Sequence, residues 1–345
     1  MPDYIDALGI ELDMRCNETE EAFDTVYIGG GTPSILPAKL LEQLVSKIYS
    51  VIDISSLAEF TIEANPEDIN KTWCNKLRTL GITRVSMGIQ SFIDDELRAV
   101  GRRHTAADAC QAIDTLRSSG ISEISGDLIY GLPGQTIESW NNSLSQLLEM
   151  ELPHFSAYLL SYEKGTRLYA RLISGKITEA IEDDAQNMYD ILCHKAAKNG
   201  YEHYEISNFS LPGHNAIHNS NYWRDRPYLG IGVAAHSFDK RLRRFNGNSI
   251  AQYIKSMSIH QPFYTIDDET DENRHNDYII TALRTSKGIN IANYTAKYGQ
   301  QMTDRLISTA GQYLDSGKMA LNNNYLSIKE KAMLISDRIM LDFII

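Results

Sequence analysis

"EFTIEANPEDINKTWCNKLRTLGITRVSMGIQ", residues Glu59 to Gln90, sets two short β-branched runs, EFTIEAN and RVSMGIQ, on either side of the amphipathic stretch EDINKTWCNKLRTLG. The outer runs read as strands, and the middle has helical spacing and ends on Gly81. Strand, helix, strand at this separation is a crossover unit, which makes its two strands parallel neighbours. The unit repeats in both directions. Upstream, DTVYIGG from Asp24 precedes PAKLLEQLVSKIYSVI; downstream, TAADACQAIDTLRSSG leads into EISGDLIYG from Glu123, and TIESWNNSLSQLLEM into HFSAYLLS from His154. Repeated β-α of this kind predicts an α/β fold with a parallel sheet.

Polar residues and glycines recur where each strand stops: Gly29 to Thr32, Glu63 with Asn65, Gln90 with Ser91, Asp127 with Tyr130, and Ser161. In a β/α barrel such ends share one rim and build one site, so a ligand is expected across the mouth. The glycines of YIGGGTPSIL, Tyr27 to Leu36, let a ligand approach backbone N–H and C=O groups, which suits a phosphate, a carboxylate or an amino group. The spacing is not G-x-G-x-x-G, and Pro33 falls where a dinucleotide-binding turn would open into its helix. The chain begins on a helical pattern, MPDYIDALGIELDMR, with no strand before it, although a β/α barrel wants one upstream.

The 345 residues, 43% hydrophobic and 23% charged, suit a globular protein with one large domain and a smaller one. No apolar run is long enough to span a bilayer, and the acidic, amphipathic start is unlike a targeting peptide, so a cytoplasmic location is expected. A formal net charge of −12 argues against a general nucleic-acid or anionic-membrane surface. Cys16, Cys74, Cys110 and Cys193 are widely separated and read as free thiols, not as a disulfide framework or a short-spaced ligand set.

Seven stretches, in order, carry a resemblance: IGGGTPS, IEANPED, RVSMGIQSF, GRRH, DLIYGLPGQT, YEISNFSLPGHNAIHNSNYW and YLGIGVAAHSF. Together they resemble the radical S-adenosylmethionine (SAM) enzymes of the oxygen-independent coproporphyrinogen III oxidase family, and within it the HemW haem chaperones. The resemblance implies a radical SAM partial β/α barrel over residues 1–165, with the first strand missing here, and a HemW-type extension over 166–265. Residues 266–345 pattern as three helices, a hairpin and a last helix, a winged-helix-like C-terminal domain. Lacking a basic recognition helix, this segment is expected to act as a lid or packing module, with no nucleic-acid partner.

By the same resemblance, Gly29, Gly30, Gly31 and Thr32 line the methionine end of SAM, while Glu63, Gln90, Arg102 and Asp127 make polar contacts with it. Carboxylates suit ribose hydroxyls or an ammonium, and Arg102 suits a carboxylate. The oxidases bind two SAM molecules, and Gln90, Arg102 and Asp127 match positions that contact the second; one or two remains open here. A strand-end carboxylate can also be a helix cap, but four such ends on one rim favour a site. Arg103 and His104, which continue the same loop, are read as structural. The family's 4Fe–4S cluster is held by a C-x-x-x-C-x-x-C loop after the first strand. Neither is in this chain, so the cluster is expected only with a segment upstream of Met1.

HNSNYW, His218 to Trp223, matches the H-N-x-x-Y-W pattern associated with haem in the HemW group. His218 offers an imidazole to iron, Asn219 belongs to the same motif, and Tyr222 and Trp223 offer flat faces to a macrocycle. A solitary His is more often structural, and aromatics more often fill a core. His214 and His236 are rival ligands; His236 sits in GVAAHSF, a small-residue run expected to pack against the barrel end. The implied function is a haem chaperone that binds haem and SAM and hands haem to an acceptor such as a respiratory enzyme, touching membrane only through it. The alternatives are an oxygen-independent coproporphyrinogen III dehydrogenase of porphyrin biosynthesis and a cluster-free binding protein.

Overall fold

The computed structural model describes residues 1–18, 22–267 and 270–345. Helix α1 (Pro2–Arg15) precedes the β-α repeat: β1 (Thr25–Ile28), α2 (Ala38–Tyr49), β2 (Glu59–Ala64), α3 (Lys71–Thr79), β3 (Arg84–Gln90), α4 (Asp94–Ala99), α5 (Ala106–Ser118), β4 (Glu123–Tyr130), α6 (Ile137–Glu149) and β5 (His154–Leu159). Thr105 and Thr136 open α5 and α6 with capping boxes, and the Asn70 side chain accepts from the Trp73 N–H at the start of α3. Each cap satisfies N–H groups that the first helical turn leaves over.

The five strands lie side by side in chain order, all parallel. The expected parallel repeat ends there. After α7 (Arg167–Ile173) and α8 (Glu182–Lys198), the short strands β6 (Glu202–Glu205) and β7 (Asn208–Ser210) extend the sheet antiparallel in the order β5-β7-β6. Seven strands thus form a curled half-barrel.

Its two faces follow from the period of two along a strand. Phe60, Ile62, Val85, Met87, Ile89, Ile124, Leu128 and Phe155 are buried in the core shared with the helices. Each large side chain withdrawn in this way contributes about 1.5–3 kcal/mol. The alternate positions, Glu59, Thr61, Glu63, Arg84, Ser86, Ser125, Asp127, His154 and Ser156, line the concave side. A polar lining of this kind holds a cavity open, because closing it would strip water from charged groups.

The remaining chain adds two layers. Helix α9 (Ile217–Trp223) is followed by β8 (His236–Phe238), β9 (Arg243–Asn246), α10 (Ile250–Ser258) and β10 (Tyr264–Asp267), with the strands in an antiparallel sheet of order β10-β9-β8. Helix α1 joins this module: Ala7 packs with Tyr253 and Met257, and the buried Glu11–Arg15 pair at 2.8 Å is bonded to Asn246, Tyr253 and Ser237. His236 therefore does not pack against the barrel end. It is exposed at the start of β8 and stacks on Phe245, because its strand pairs away from the half-barrel.

The C-terminal segment holds α11 (Asp271–Leu283), β11 (Ile289–Asn290), α12 (Ile291–Asp315), β12 (Met319–Asn322), β13 (Tyr325–Ile328) and α13 (Ser336–Leu341). The two helices expected between α11 and the hairpin run on as α12, broken at Gly299, whose φ of 84° is left-handed. Ile279, Leu283, Leu306 and Met333 belong to the same contiguous core as the half-barrel. Among the described residues no helix is long and apolar enough to cross a membrane.

Candidate functional site

The rim and the base of the half-barrel both carry chemistry. At the rim, Gly29 follows β1 where any side chain would collide: a Cβ there would run into the Tyr27 ring and lie 2.8 Å from Glu63 Oε1. Gly30 and Gly31 take left-handed φ of 77° and 71°, with nothing near where a Cβ would stand, so their backbone faces open space. Glu63, at the end of β2, holds this loop. Its Oε2 accepts from the Gly30 N–H at 3.0 Å, and its Oε1 accepts from the Tyr27 hydroxyl at 2.8 Å.

Opposite stand Asp127 and Arg102. Ser86 Oγ donates to Asp127 Oδ2 at 3.0 Å, whereas the buried Oδ1 has no hydrogen-bond partner among the described residues. Burial pushes this carboxyl up to about 6, against the pull of its serine neighbours. Arg102 donates to Asn65 Oδ1 at 3.1 Å; burial lowers its pKa, with Glu67 and Asp127 acting the other way. Gln90 has φ 67° at a register shift between β3 and β4 and is buried at the same rim. A cavity of about 200 Å³ is lined by Gly31, Thr32, Glu63, Gln90, Arg102 and Asp127 together. Arg103 pairs with Glu67, and the His104 ring meets Glu67 and the Ile89 carbonyl, so both serve the local loop.

Chemically, the rim offers open backbone groups, two carboxylates and one guanidinium. That donor set fits a zwitterion carrying hydroxyls, and the unpartnered Asp127 Oδ1 and the bare glycine backbone are the groups such a ligand would satisfy, so SAM fits. A 4Fe–4S cluster does not fit the residues present. The four cysteines stand at the end of α1, in α3, in α5 and in α8, and they do not gather into a ligand set.

Beneath the rim a second space of about 220 Å³ reaches inward past Tyr27, Arg84 and His154 to Glu59 and Asn219. It meets α9 at the opposite end of the strands. The Glu59 carboxylate, at the start of β2, accepts from the N–H groups of Ile217 and His218 at 2.9 and 3.1 Å. The His218 ring stacks on Tyr27 with centroids 5.0 Å apart. Its Nδ1 lies 2.9 Å from Thr25 Oγ1 and its Nε2 2.9 Å from the Tyr222 hydroxyl. Burial lowers its pKa, opposed by Glu59 and Asp24, which keeps the imidazole neutral. Tyr222 is 37% exposed, and the Trp223 indole N–H is buried without a partner among the described residues.

The rival histidines are placed differently. His214 pairs with Glu123 at 3.1 Å, and its carbonyl accepts from Arg84 at 3.4 Å; His236 stands apart in the outer sheet. Sequence reasoning missed Tyr27, Glu59, Arg84 and His154. The signal was available: each is an inward position in a strand that alternates polar with apolar residues, as in Glu59-Phe60-Thr61-Ile62-Glu63. Tyr27 joins the two ends, since its ring touches His218 while its hydroxyl donates to Glu63.

A curled parallel sheet with a glycine loop after its first strand and carboxylates at successive strand ends is the half-barrel of the radical SAM superfamily, whose family model matches residues 11–147. The solved coproporphyrinogen III oxidase HemN of Escherichia coli superposes with a TM-score of 0.83 at 20% identity, covering 99% of this chain and 82% of that one, a likeness of fold. Heme chaperone HemW of Lactococcus lactis is 35% identical over 294 residues, 82% of this chain and 77% of the relative. That of Bacillus subtilis is 29% identical over 340 residues, 98% of this chain and 90% of the relative. The chain belongs to the HemW family.

Proposed function

We propose that this protein is a haem chaperone: it takes up haem at α9, binds SAM at the rim, and passes haem to an acceptor protein in the cytoplasm. The observation that carries the reading is the seat of His218. The ring is half-buried and oriented by Tyr27 and Thr25, and among the described residues its Nε2 meets the hydroxyl of the partly exposed Tyr222. Moving that one side chain frees an imidazole nitrogen toward solvent, with Trp223 alongside to lie against a flat macrocycle. At the rim, Glu63 and Asp127 would accept from hydroxyl or ammonium groups of SAM, and Arg102 would hold its carboxylate. SAM in this superfamily supplies radical chemistry when a cluster reduces it. The residues present here account for binding and orientation.

Haem titration followed by the Soret band tests the reading. His218→Ala is expected to weaken binding about ten-fold or more, roughly 1.4 kcal/mol. Equal affinity in wild type and variant would exclude His218 as the ligand and return His214 or His236 to consideration. Coproporphyrinogen III, supplied under anaerobic reducing conditions to a form extended upstream and reconstituted with iron and sulfide, is expected to remain unconverted. Appearance of protoporphyrinogen IX would put the oxidase reading first.

A further inference from the structure

Away from both ends of the half-barrel, where α8 and β6 meet the segment that follows β13, Cys193, His203 and Glu330 each bring one ligating atom within 4.8 Å of the others. The three come from separate elements, and none takes part in the rim or the base. Cys193 is buried, the His203 side chain is 7% exposed, and the Glu330 side chain is 49% exposed, which gives the cluster a route to solvent.

The tautomer of His203 decides what the cluster can do. Its Nε2 lies 3.3 Å from the carbonyl oxygen of Ile206, which can only accept, so Nε2 carries the proton. Nδ1 lies 3.4 Å from Glu330 Oε1. With Nε2 committed to that carbonyl, Nδ1 is the ring nitrogen that turns toward Glu330 and Cys193. Stacking on Phe209 at 4.2 Å and the edge contact with Tyr189 fix the ring in this orientation. An imidazole whose far N–H is held by a backbone carbonyl is the usual form of a metal-bound histidine. Bond lengths of about 2.0–2.3 Å around a tetrahedral ion place its ligand atoms ~3.3–3.7 Å apart, a range that contains the Nδ1–Oε1 separation. Tyr189 fixes the carboxylate's segment by donating to the Glu330 carbonyl at 2.9 Å.

We propose that Cys193, His203 and Glu330 bind one divalent zinc-type cation that fastens the C-terminal segment to the half-barrel. Sulfur, nitrogen and oxygen in one set favour zinc over magnesium or calcium. A thiolate, a carboxylate and a neutral imidazole together balance two positive charges, so the loaded site is neutral where it is buried. A water completes the tetrahedron on the exposed side.

Cobalt(II) reports on the site, because a thiolate–cobalt bond absorbs in the near ultraviolet whereas carboxylate and imidazole ligands alone do not. Titrating the full chain with cobalt(II) is expected to give one such site per chain, displaced by an equivalent of zinc. Cys193→Ser should abolish the absorption and weaken binding at least about ten-fold. Cys16→Ser and Cys110→Ser should change neither. If Cys193→Ser fails to fold, Glu330→Gln, at a half-exposed side chain, should keep the absorption and lose about ten-fold in affinity. No thiolate–cobalt absorption in the wild type, its survival in Cys193→Ser, or unchanged affinity in Glu330→Gln would overturn the assignment.

Discussion

At the rim the strands run out into a glycine loop flanked by open space and a carboxylate oxygen without a partner among the described residues, whereas at the base they begin in groups already matched. Thr25 meets His218, Glu59 meets the backbone of α9, and Glu123 meets His214. The same strands supply both ends, so the difference lies in what covers them. A ligand at the rim gains hydrogen bonds that the protein cannot make for itself. One at the base must first displace a contact, that of Tyr222 with His218. Under the proposed reading the rim would hold its ligand steadily and the base would hold haem only while Tyr222 is moved aside, which is the behaviour a carrier needs.

Four experiments bear on that contrast. The largest effect is expected at Asp127. Burial raises its carboxyl to about 6 from an ordinary 3.8, so the protonated form is favoured by folding. The corresponding stability is complete below the ordinary value and is lost as pH rises through about 6, which costs roughly 3 kcal/mol by neutral pH. Asp127→Asn should therefore be more stable than wild type at pH 7 and no more stable at pH 4, as read by urea unfolding, while losing SAM affinity. A difference of the same size at both pH values would show that the rim carboxylate is not strained by desolvation.

Next comes Gly29→Ala, whose methyl group would displace Tyr27 and Glu63. We expect about a hundred-fold loss of SAM binding by calorimetry, roughly 2.7 kcal/mol, with a smaller loss of haem affinity, about ten-fold or less, because the displaced Tyr27 ring also orients His218. Equal losses at both sites would mean that the ends are not independent. At the base, Glu59→Gln weakens the charged hold on α9 and should cost haem about ten-fold, in the range of a hydrogen bond to an ion, while SAM binding stays level. The smallest effect belongs to Tyr27→Phe, which keeps the ring on His218 and removes the hydroxyl from Glu63. SAM affinity should fall about five-fold, near 1 kcal/mol, and haem affinity should not move. A shift in haem binding as large as that in SAM binding would turn Tyr27 from a shared wall into a coupling element.

Much of the half-barrel was legible because its signals are local. Strand β3 was read with both of its ends correct, and Thr105 and Thr136 announced α5 and α6 by their caps. Glu63, Gln90 and Asp127 could be set on one rim because parallel strands carry their C-terminal ends to one side. The strands β6 and β7 escaped, being four and three residues long, too short for a period to show. His236 was misplaced because nothing in GVAAHSF says which sheet its strand will join.

By itself the sequence determined the alternation of strand and helix, the parallel order of five strands and the gathering of polar residues at their ends. These follow from side-chain periods of two and 3.6 and from capping chemistry, which act over a few residues. Only the tertiary structure decided that HNSNYW closes the base and not the rim, since Glu59 and Ile217 are 158 residues apart in the chain. It likewise decided that Glu11 and Arg15 of the first helix are buried against Ser237, Asn246 and Tyr253, and that Cys193, His203 and Glu330 converge. Contacts at such separations depend on how finished elements fit and on which buried charges find partners, and no local pattern encodes that choice.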